Sequence, residues 1–384
     1  MIPVCVPALL GNERKYLLDA LETNWISSAG KYIPLFEEAF AKYVGVEHAI
    51  CTTSGTTALH LALVALGVGK EDEVIIPNFT MISSAFAVCY TGAVPVFVDA
   101  ERETWNMDPD KIEEKITPRT KAIMVVHIYG HPSNVKRIKE IADKHNLKII
   151  EDAAEVHGAE FDGKKCGSFG DIACFSFFAN KIITAGEGGI VVTNNHELSE
   201  KCRYHKNLCF SLNGSRNYLH EDIGFNYRMS NLHAAIGLAQ IEKADEYSRR
   251  RRRNNWLYKK YLDGISGIIF QPEKEGHRNV YWMNGIAIDK EKFGMGRDEF
   301  MESLKENGID SRLFFVGMHE QPALRKHGCD VSGDYPVTKW LSENGLYLPS
   351  GSGLTEEEIK YICDVIIKLS KIKNEKEIKS RFAL

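Results

Sequence analysis

From about residue 47 to 195, short β-rich runs alternate with helical stretches, and this spacing limits the fold more than any other feature of the chain. EHAICTT leads into GTTALHLALVALG, and EVIIP precedes MISSAFAVCYTG. PVFVDA is followed by a helix candidate in DPDKIEEKI, KAIMVVH runs on to VKRIKEIADKHN, and LKIIEDAA closes the series. Strands and helices in this order predict a mostly parallel sheet covered on both faces. Such sheets bind ligands beyond the carboxyl ends of their strands. Ser54–Gly55–Thr56, Asp152 and Lys181 all fall there.

After about residue 230 the pattern changes. SNLHAAIGLAQIEKADEYSRRRRRNNWLYKKYLDG predicts one long helix, begun by Ser230 as N-cap and closed near Gly264. Helices near 297–307 and 355–371 with VYWMNGIAID predict a smaller α/β domain. Two N-terminal helices, near 12–22 and 34–43, pack back on the folded body. We therefore expect a large domain over 1–240, N-terminal helices included, and a small one over 241–384 joined by the long helix. The arginine run 249–253 follows Glu242, Asp245 and Glu246, so it predicts a solvated, salt-bridged helix face rather than a nucleic-acid site.

Composition removes other classes. A net charge of −4 argues against a nucleic-acid binder that relies on positive charge. No run reaches the roughly 18 uncharged apolar residues of a membrane span, and MIPVCVPALLGNERKY lacks the pattern of a signal peptide. Nine scattered cysteines with no CxxC pair predict reduced structural thiols in a cytoplasmic enzyme.

Three segments could carry chemistry. In SFFANKIITAGEGG, Lys181 lies between an aromatic-rich strand and a glycine-rich turn, where an amine can lose hydration and attack a carbonyl. Gly186, Gly188 and Gly189 let the backbone curl back past it. In SGTTALHLAL, a helix N-terminus with the Thr56 and Thr57 hydroxyls forms a potential anion site; a plain hydroxyl cap at Ser54 is the alternative. Asp152 ends a buried strand and needs a partner, either a protonated ring nitrogen or an ordinary arginine or helix terminus. Together, cradle, aspartate and lysine are the groups that pyridoxal 5′-phosphate chemistry requires.

At this point the chain resembles the sugar aminotransferases of the DegT/DnrJ/EryC1/StrS family, a branch of the fold-type I pyridoxal-phosphate enzymes. The resemblance rests on WISSAGKYIPLFEEAF, SGTTALHLAL, HIYGHP, EDAAEVHGA, the Lys181 segment, GFNYRMSNLHAAIGLAQ and LYLPSGSGLTEEEI. It implies that Lys181 forms the imine with the cofactor and then moves the proton, while Asp152 pairs with the pyridine nitrogen. Gly55, Thr56 and Ser176 would hold the phosphate, and Glu155 would lie near the ring oxygen. Asn226 would reach the phosphate of a neighbouring subunit in a homodimer with shared sites, with Arg228 lining that interface. Two positions depart from the family's habit: Met81 where an aromatic residue often stacks on the ring, and Ala179 where glycine is common. Lys181 also separates the chain from the few family members that are dehydratases and carry histidine there.

HKNLCF, VYWM and RLFFVGMHEQP look most like the perosamine-forming branch of the family. That branch implies amino transfer from L-glutamate to GDP-4-keto-6-deoxy-D-mannose, giving GDP-perosamine. A UDP- or dTDP-linked keto sugar, or a pyridoxal-phosphate-binding regulatory module without turnover, are the alternatives. Lys206, Arg216 and Arg312 are candidates to meet the substrate diphosphate. His319, with His205 and His220, is expected to touch substrate rather than metal, since none has a helical histidine partner at metal spacing.

Overall fold

The computed structural model describes residues 1–212 and 218–381, with the side chains of 371–381 excepted. Its centre is a seven-stranded sheet in the order β1-β9-β8-β5-β4-β2-β3. The strands are β1 (His48–Thr52), β2 (Glu73–Pro77), β3 (Val94–Val98), β4 (Thr120–Val126), β5 (Lys148–Asp152), β8 (Ile172–Ser176) and β9 (Gly189–Thr193). Five neighbours from β3 to β8 run parallel; β9 reverses against both β8 and β1. The strands are nearly continuous apolar runs because helices cover both faces. A small three-stranded sheet joins β6 (Glu160–Phe161), β7 (Lys164–Lys165) and β11 (His277–Arg278).

Helices α1 (Glu13–Glu22) and α2 (Tyr32–Val44) pack on α7 (Asn231–Ile241), and α2 also lies on β1. Helix α3 (Gly55–Ala65) is apolar all round and covers β8 and β9 from the middle of the sheet. It is flanked by α4 (Ser83–Tyr90) and α6 (His196–Lys206). Helix α5 (Val135–His145) starts on the Asn134 side chain and stops at Asn146, whose φ of 53° suits asparagine better than most residues.

A second sheet, β10 (Ile268–Phe270), β12 (Asn284–Ile288), β14 (Gly345–Leu348) and β13 (Arg312–Leu313), is antiparallel. It shares an apolar core with α8 (Ala244–Tyr261) and the helices Arg297–Glu306 and Glu356–Arg381. The chain start is tied to this part, with the Ser350 amide donating to the Val4 carbonyl at 2.7 Å. Among the described residues, no helix is long and apolar enough to cross a membrane.

Three expectations are corrected. The long helix after Ser230 is two helices, broken at Lys243, which takes φ −115° and ψ 8°. Ser230 caps the first as expected. Asp245 and Glu246 start the second, where the helix dipole favours acids, and Glu246 also pairs with Arg250 one turn on at 2.8 Å. DPDKIEEKI forms two short 3₁₀ turns, Pro109–Lys111 and Glu113–Lys115. Finally, the arginine run is not wholly solvated: Arg251 is only 2% exposed.

Candidate active site

The register of the central strands lines up the pieces of the site. Thr52 of β1 pairs with Gly189, and Gly189 with Ser176 of β8. Two residues back along β8, Cys174 pairs with Asp152 of β5. Strands lie about 4.8 Å apart, so Ser54, Ser176, Asp152 and the Lys181 turn share one edge of the sheet, at the carboxyl ends of its parallel strands.

The turn carrying Lys181 is closed by its own backbone. The Phe177 amide donates to Gly188 at 2.8 Å, Ala185 donates to Phe177 at 2.9 Å, and Lys181 donates to Phe178 at 2.9 Å. Gly188, at φ 143°, allows the reversal into β9, and a Cβ there would meet Met229 Cε at 2.6 Å. At Gly189 a Cβ would fall 2.2 Å from the Ser54 carbonyl oxygen. The return strand therefore presses directly on the start of α3.

At that start Ser54 is extended, and its hydroxyl accepts the Thr57 amide at 3.2 Å. The Thr57 hydroxyl in turn accepts the Ser54 amide at 3.0 Å and donates to the Ser54 carbonyl at 2.9 Å. The Ser54 and Thr57 side chains thus close a reciprocal cap on the first turn. Thr57 is spent on the cap, which corrects the expectation that its hydroxyl helps an anion. The amides of Gly55 and Thr56 have no intrahelical acceptor. Ser176 packs closely on this turn: its Cβ would lie 2.8 Å from a Cβ on Gly55.

Asp152 is buried and accepts the Ser84 hydroxyl of α4 at 2.8 Å and the Ala154 amide at 3.2 Å. Burial raises its pKa, against the opposing pull of those hydrogen bonds and of the Lys181 charge. Glu155 accepts the Tyr129 amide at 2.7 Å and lies 3.9 Å from Lys181 Nζ. Burial pushes its pKa up to about 7, opposed by the lysine. The Lys181 side chain is 10% exposed, with Nζ 3.7 Å from the centroid of the Trp282 ring. Burial lowers its pKa, Glu155 and Asp152 oppose this, and Arg251 adds to it. The amine is thereby moved towards the neutral, nucleophilic form.

This donor set fits pyridoxal 5′-phosphate. Two free amides and a serine hydroxyl suit a phosphate, a buried carboxylate suits a protonated ring nitrogen, and a desolvated amine suits an aldehyde. The tight Gly55–Ser176 approach keeps a methyl group out of the phosphate end.

The remaining candidates are placed as follows. Met81 is 47% exposed, just beyond Thr80 at the end of β2. Asn226 is exposed and bridges Asn207 through its backbone, while the Arg228 guanidinium donates to the Asn207 side chain at 2.7 Å. His319 docks at the carboxyl end of β2, its amide donating to Asn78 at 3.0 Å and its ring 2.7 Å from the Asn78 amide nitrogen. Lys206 corrects the sequence expectation. Its amine is half-buried against α2, bonded to Glu37 at 3.2 Å and to the Cys51 carbonyl at 3.0 Å. Arg312 is exposed on β13 and pairs with Asp310 at 2.6 Å. The His220 ring is 2.7 Å from the Leu208 carbonyl, and the His205 ring is 3.4 Å from Cys209 Sγ. Arg216 lies outside the described residues.

Ser84, Tyr129, Trp282 and Arg251 also surround these groups. Tyr129 and Trp282 lie within HIYGHP and VYWM, whereas nothing local in the sequence marks Ser84. Tyr129 takes φ 55° and ψ 16°, a left-handed backbone unusual for an aromatic residue, with its amide on Glu155.

Comparison with known proteins is consistent across sequence and shape. The model of the DegT/DnrJ/EryC1/StrS aminotransferase family matches residues 8–367. The chain is 46% identical over 359 residues to a GDP-perosamine synthase of Caulobacter vibrioides, covering 93% of this chain and 95% of the relative. It is 43% identical to a GDP-perosamine synthase of Escherichia coli O157:H7, covering 95% and 97%. The crystal structure of DesI in the presence of its TDP-sugar product superposes with a TM-score of 0.89 at 32% identity, covering 99% of this chain and 96% of that one.

Proposed function

This chain belongs to the DegT/DnrJ/EryC1/StrS aminotransferase family, and from that premise we propose a pyridoxal-phosphate-dependent amino transfer from L-glutamate to a GDP-linked 4-keto-6-deoxy sugar. The observation that carries the reading is the buried amine of Lys181, facing Glu155 and charge-coupled to the strand-end Asp152. Two relatives at 43% and 46% identity that are GDP-perosamine synthases support GDP and the 4-amino product over UDP- or dTDP-linked alternatives.

Bound pyridoxal phosphate supplies an aldehyde that exchanges amines and a ring that withdraws electrons from the reacting carbon. The chain's residues hold and steer that chemistry. The Gly55 and Thr56 amides and the Ser176 hydroxyl would hold the phosphate. Asp152, oriented by Ser84 and the Ala154 amide, would keep the ring nitrogen protonated. Lys181 would hold the cofactor through its amine; as a free amine it is placed to take a proton from the donor carbon and return one to the sugar carbon. Burial lowers its pKa and so moves it towards the unprotonated form that a base needs. Glu155, with a pKa of about 7, can share a proton near the ring oxygen.

We further assign Asn226 to a neighbouring subunit's phosphate in a homodimer, which its exposure permits. Residues 1–240 and 241–384 are the proposed large and small domains. The nine cysteines, all free thiols, support a reducing, cytoplasmic setting.

Borohydride treatment of the purified holoprotein should fix the cofactor on the peptide that contains Lys181, read by mass spectrometry. L-Glutamate should bleach the visible band of the bound cofactor, and Lys181→Ala should retain cofactor but not turn over. Label on another lysine, or full activity in that variant, sinks the assignment. Turnover of GDP-, UDP- and dTDP-linked 4-keto sugars side by side decides the nucleotide.

A further inference from the structure

Arg251 of α8 is fully enclosed, and among the described residues no carboxylate lies within ion-pair distance of it. Its guanidinium donates only to neutral groups: Nη1 to the Trp282 carbonyl at 2.6 Å, Nε to Ser352 Oγ at 3.0 Å, and Nη2 to Cys5 Sγ at 3.3 Å and the Asn180 carbonyl at 3.5 Å. Burying a charge without a counter-charge is expensive. A well-packed apolar side chain would serve the core better, so the guanidinium calls for another explanation.

Its acceptors supply one. Asn180 is the residue before Lys181, and its carbonyl also accepts the Trp282 indole N–H at 2.9 Å. Trp282 carries the ring that lies under Lys181 Nζ. One guanidinium therefore pins the backbone on one side of the lysine and the aromatic floor on the other. Its positive charge also acts on the amine, lowering the Lys181 pKa.

We propose that Arg251 is a positioning residue for Lys181, holding the amine over the Trp282 ring through two carbonyls and disfavouring a second positive charge there by like-charge repulsion. This rests on the reading of Lys181 as the reacting amine. The other groups facing Lys181 are Glu155 and Asp152, which favour the protonated amine. His157 is held neutral by burial, with a pKa lowered to about 3, and carries no charge there. Cys5, at the guanidinium's far edge, is part of the same enclosure. Among these groups, Arg251 is the fixed cation opposing protonation.

The test reads the amine directly, in the full chain freed of cofactor. Trace acetylation with acetic anhydride across a pH series, followed by mass spectrometry, gives the protonation midpoint of Lys181 against the exposed Lys139 and Lys201 in the same digest. In the unaltered protein Lys181 should titrate below both; a midpoint at or above theirs overturns the proposal without any variant. Arg251→Gln keeps hydrogen-bond donors and removes the charge. It should raise the midpoint and lower Lys181 labelling at neutral pH by about tenfold. Arg251→Lys keeps the charge and should label within about twofold of the unaltered chain, while kcat falls because the fork to Asn180 and Trp282 is lost. Identical labelling of the Gln variant and the unaltered chain refutes the charge role. A purely structural arginine would lower the melting temperature in both variants and leave both labelling curves in place. Failure of borohydride to fix cofactor at Lys181 removes the aminotransfer reading instead, and leaves the labelling result to stand alone.

Discussion

Gly55→Ala tests whether the start of α3 and Ser176 form the two jaws of a phosphate site. The new Cβ would sit 2.8 Å from Ser176 Cβ and 3.3 Å from its Oγ, so reaching the 3.4 Å of ordinary contact means parting the jaws by about 0.6 Å. Ser176 Cβ is fixed to a central strand and cannot swing away. An N–H···O bond of about 2.9 Å stretched by that amount reaches about 3.5 Å, beyond the usual limit of about 3.2 Å, and is effectively lost. Each charge-assisted bond lost is worth roughly 1.5–3 kcal/mol, so cofactor affinity should fall by about ten- to a hundredfold. Overpacking costs about 1–3 kcal/mol of stability, but alanine in place of glycine within a helix returns up to about 1 kcal/mol. The expected signature is a large loss of affinity with a modest loss of stability. Titrating the cofactor-free chain with pyridoxal phosphate, alongside thermal melts, reads both quantities. Gly69→Ala, where a Cβ meets nothing within 4 Å, is the control and should change neither. Cofactor binding by Gly55→Ala within twofold of the unaltered chain would refute the two-jaw geometry.

Two other outcomes follow from the electrostatics. Glu155 has its folded pKa raised from 4.5 to about 7, so its protonation stabilises the cofactor-free chain fully below pH 4.5, and that contribution is lost as pH rises through about 7. Urea midpoints of the unaltered chain should therefore decline across that window relative to Glu155→Gln; parallel curves would mean that the carboxyl is not held protonated by burial. Lys206→Met should cost about 1–3 kcal/mol in urea unfolding by leaving Glu37 with one fewer cation, and should leave the KM for the sugar nucleotide unchanged. A KM rise of tenfold with unaltered stability would return Lys206 to the substrate.

The central sheet was legible because its strands are buried on both faces and bounded by turn residues, which leaves a strong periodic signal. The cradle, Asp152 and Lys181 were legible for a related reason: the sheet's topology sends them to one edge. What the sequence hid was long-range or geometric. The kink at Lys243 depends on α8 turning from α7 towards the second sheet, and no glycine or proline marks it. Arg251 is one of five adjacent arginines, and only the packing of α8 against the Lys181 turn distinguishes it. Lys206 has the same composition cue as a phosphate ligand, yet its partner is Glu37, 169 residues away. Ser84 meets Asp152 across 68 residues, a pairing that no local pattern announces.

Tyr129 makes a short bridge between distant parts of the molecule. Its hydroxyl accepts the Phe315 amide at 3.2 Å, while its own amide holds Glu155 at 2.7 Å. The segment that follows β13 is thus only one side chain and two hydrogen bonds away from the acid beside the lysine. The backbone beyond β13 and the carboxyl beside the lysine are thus fastened to the two ends of a single rigid residue.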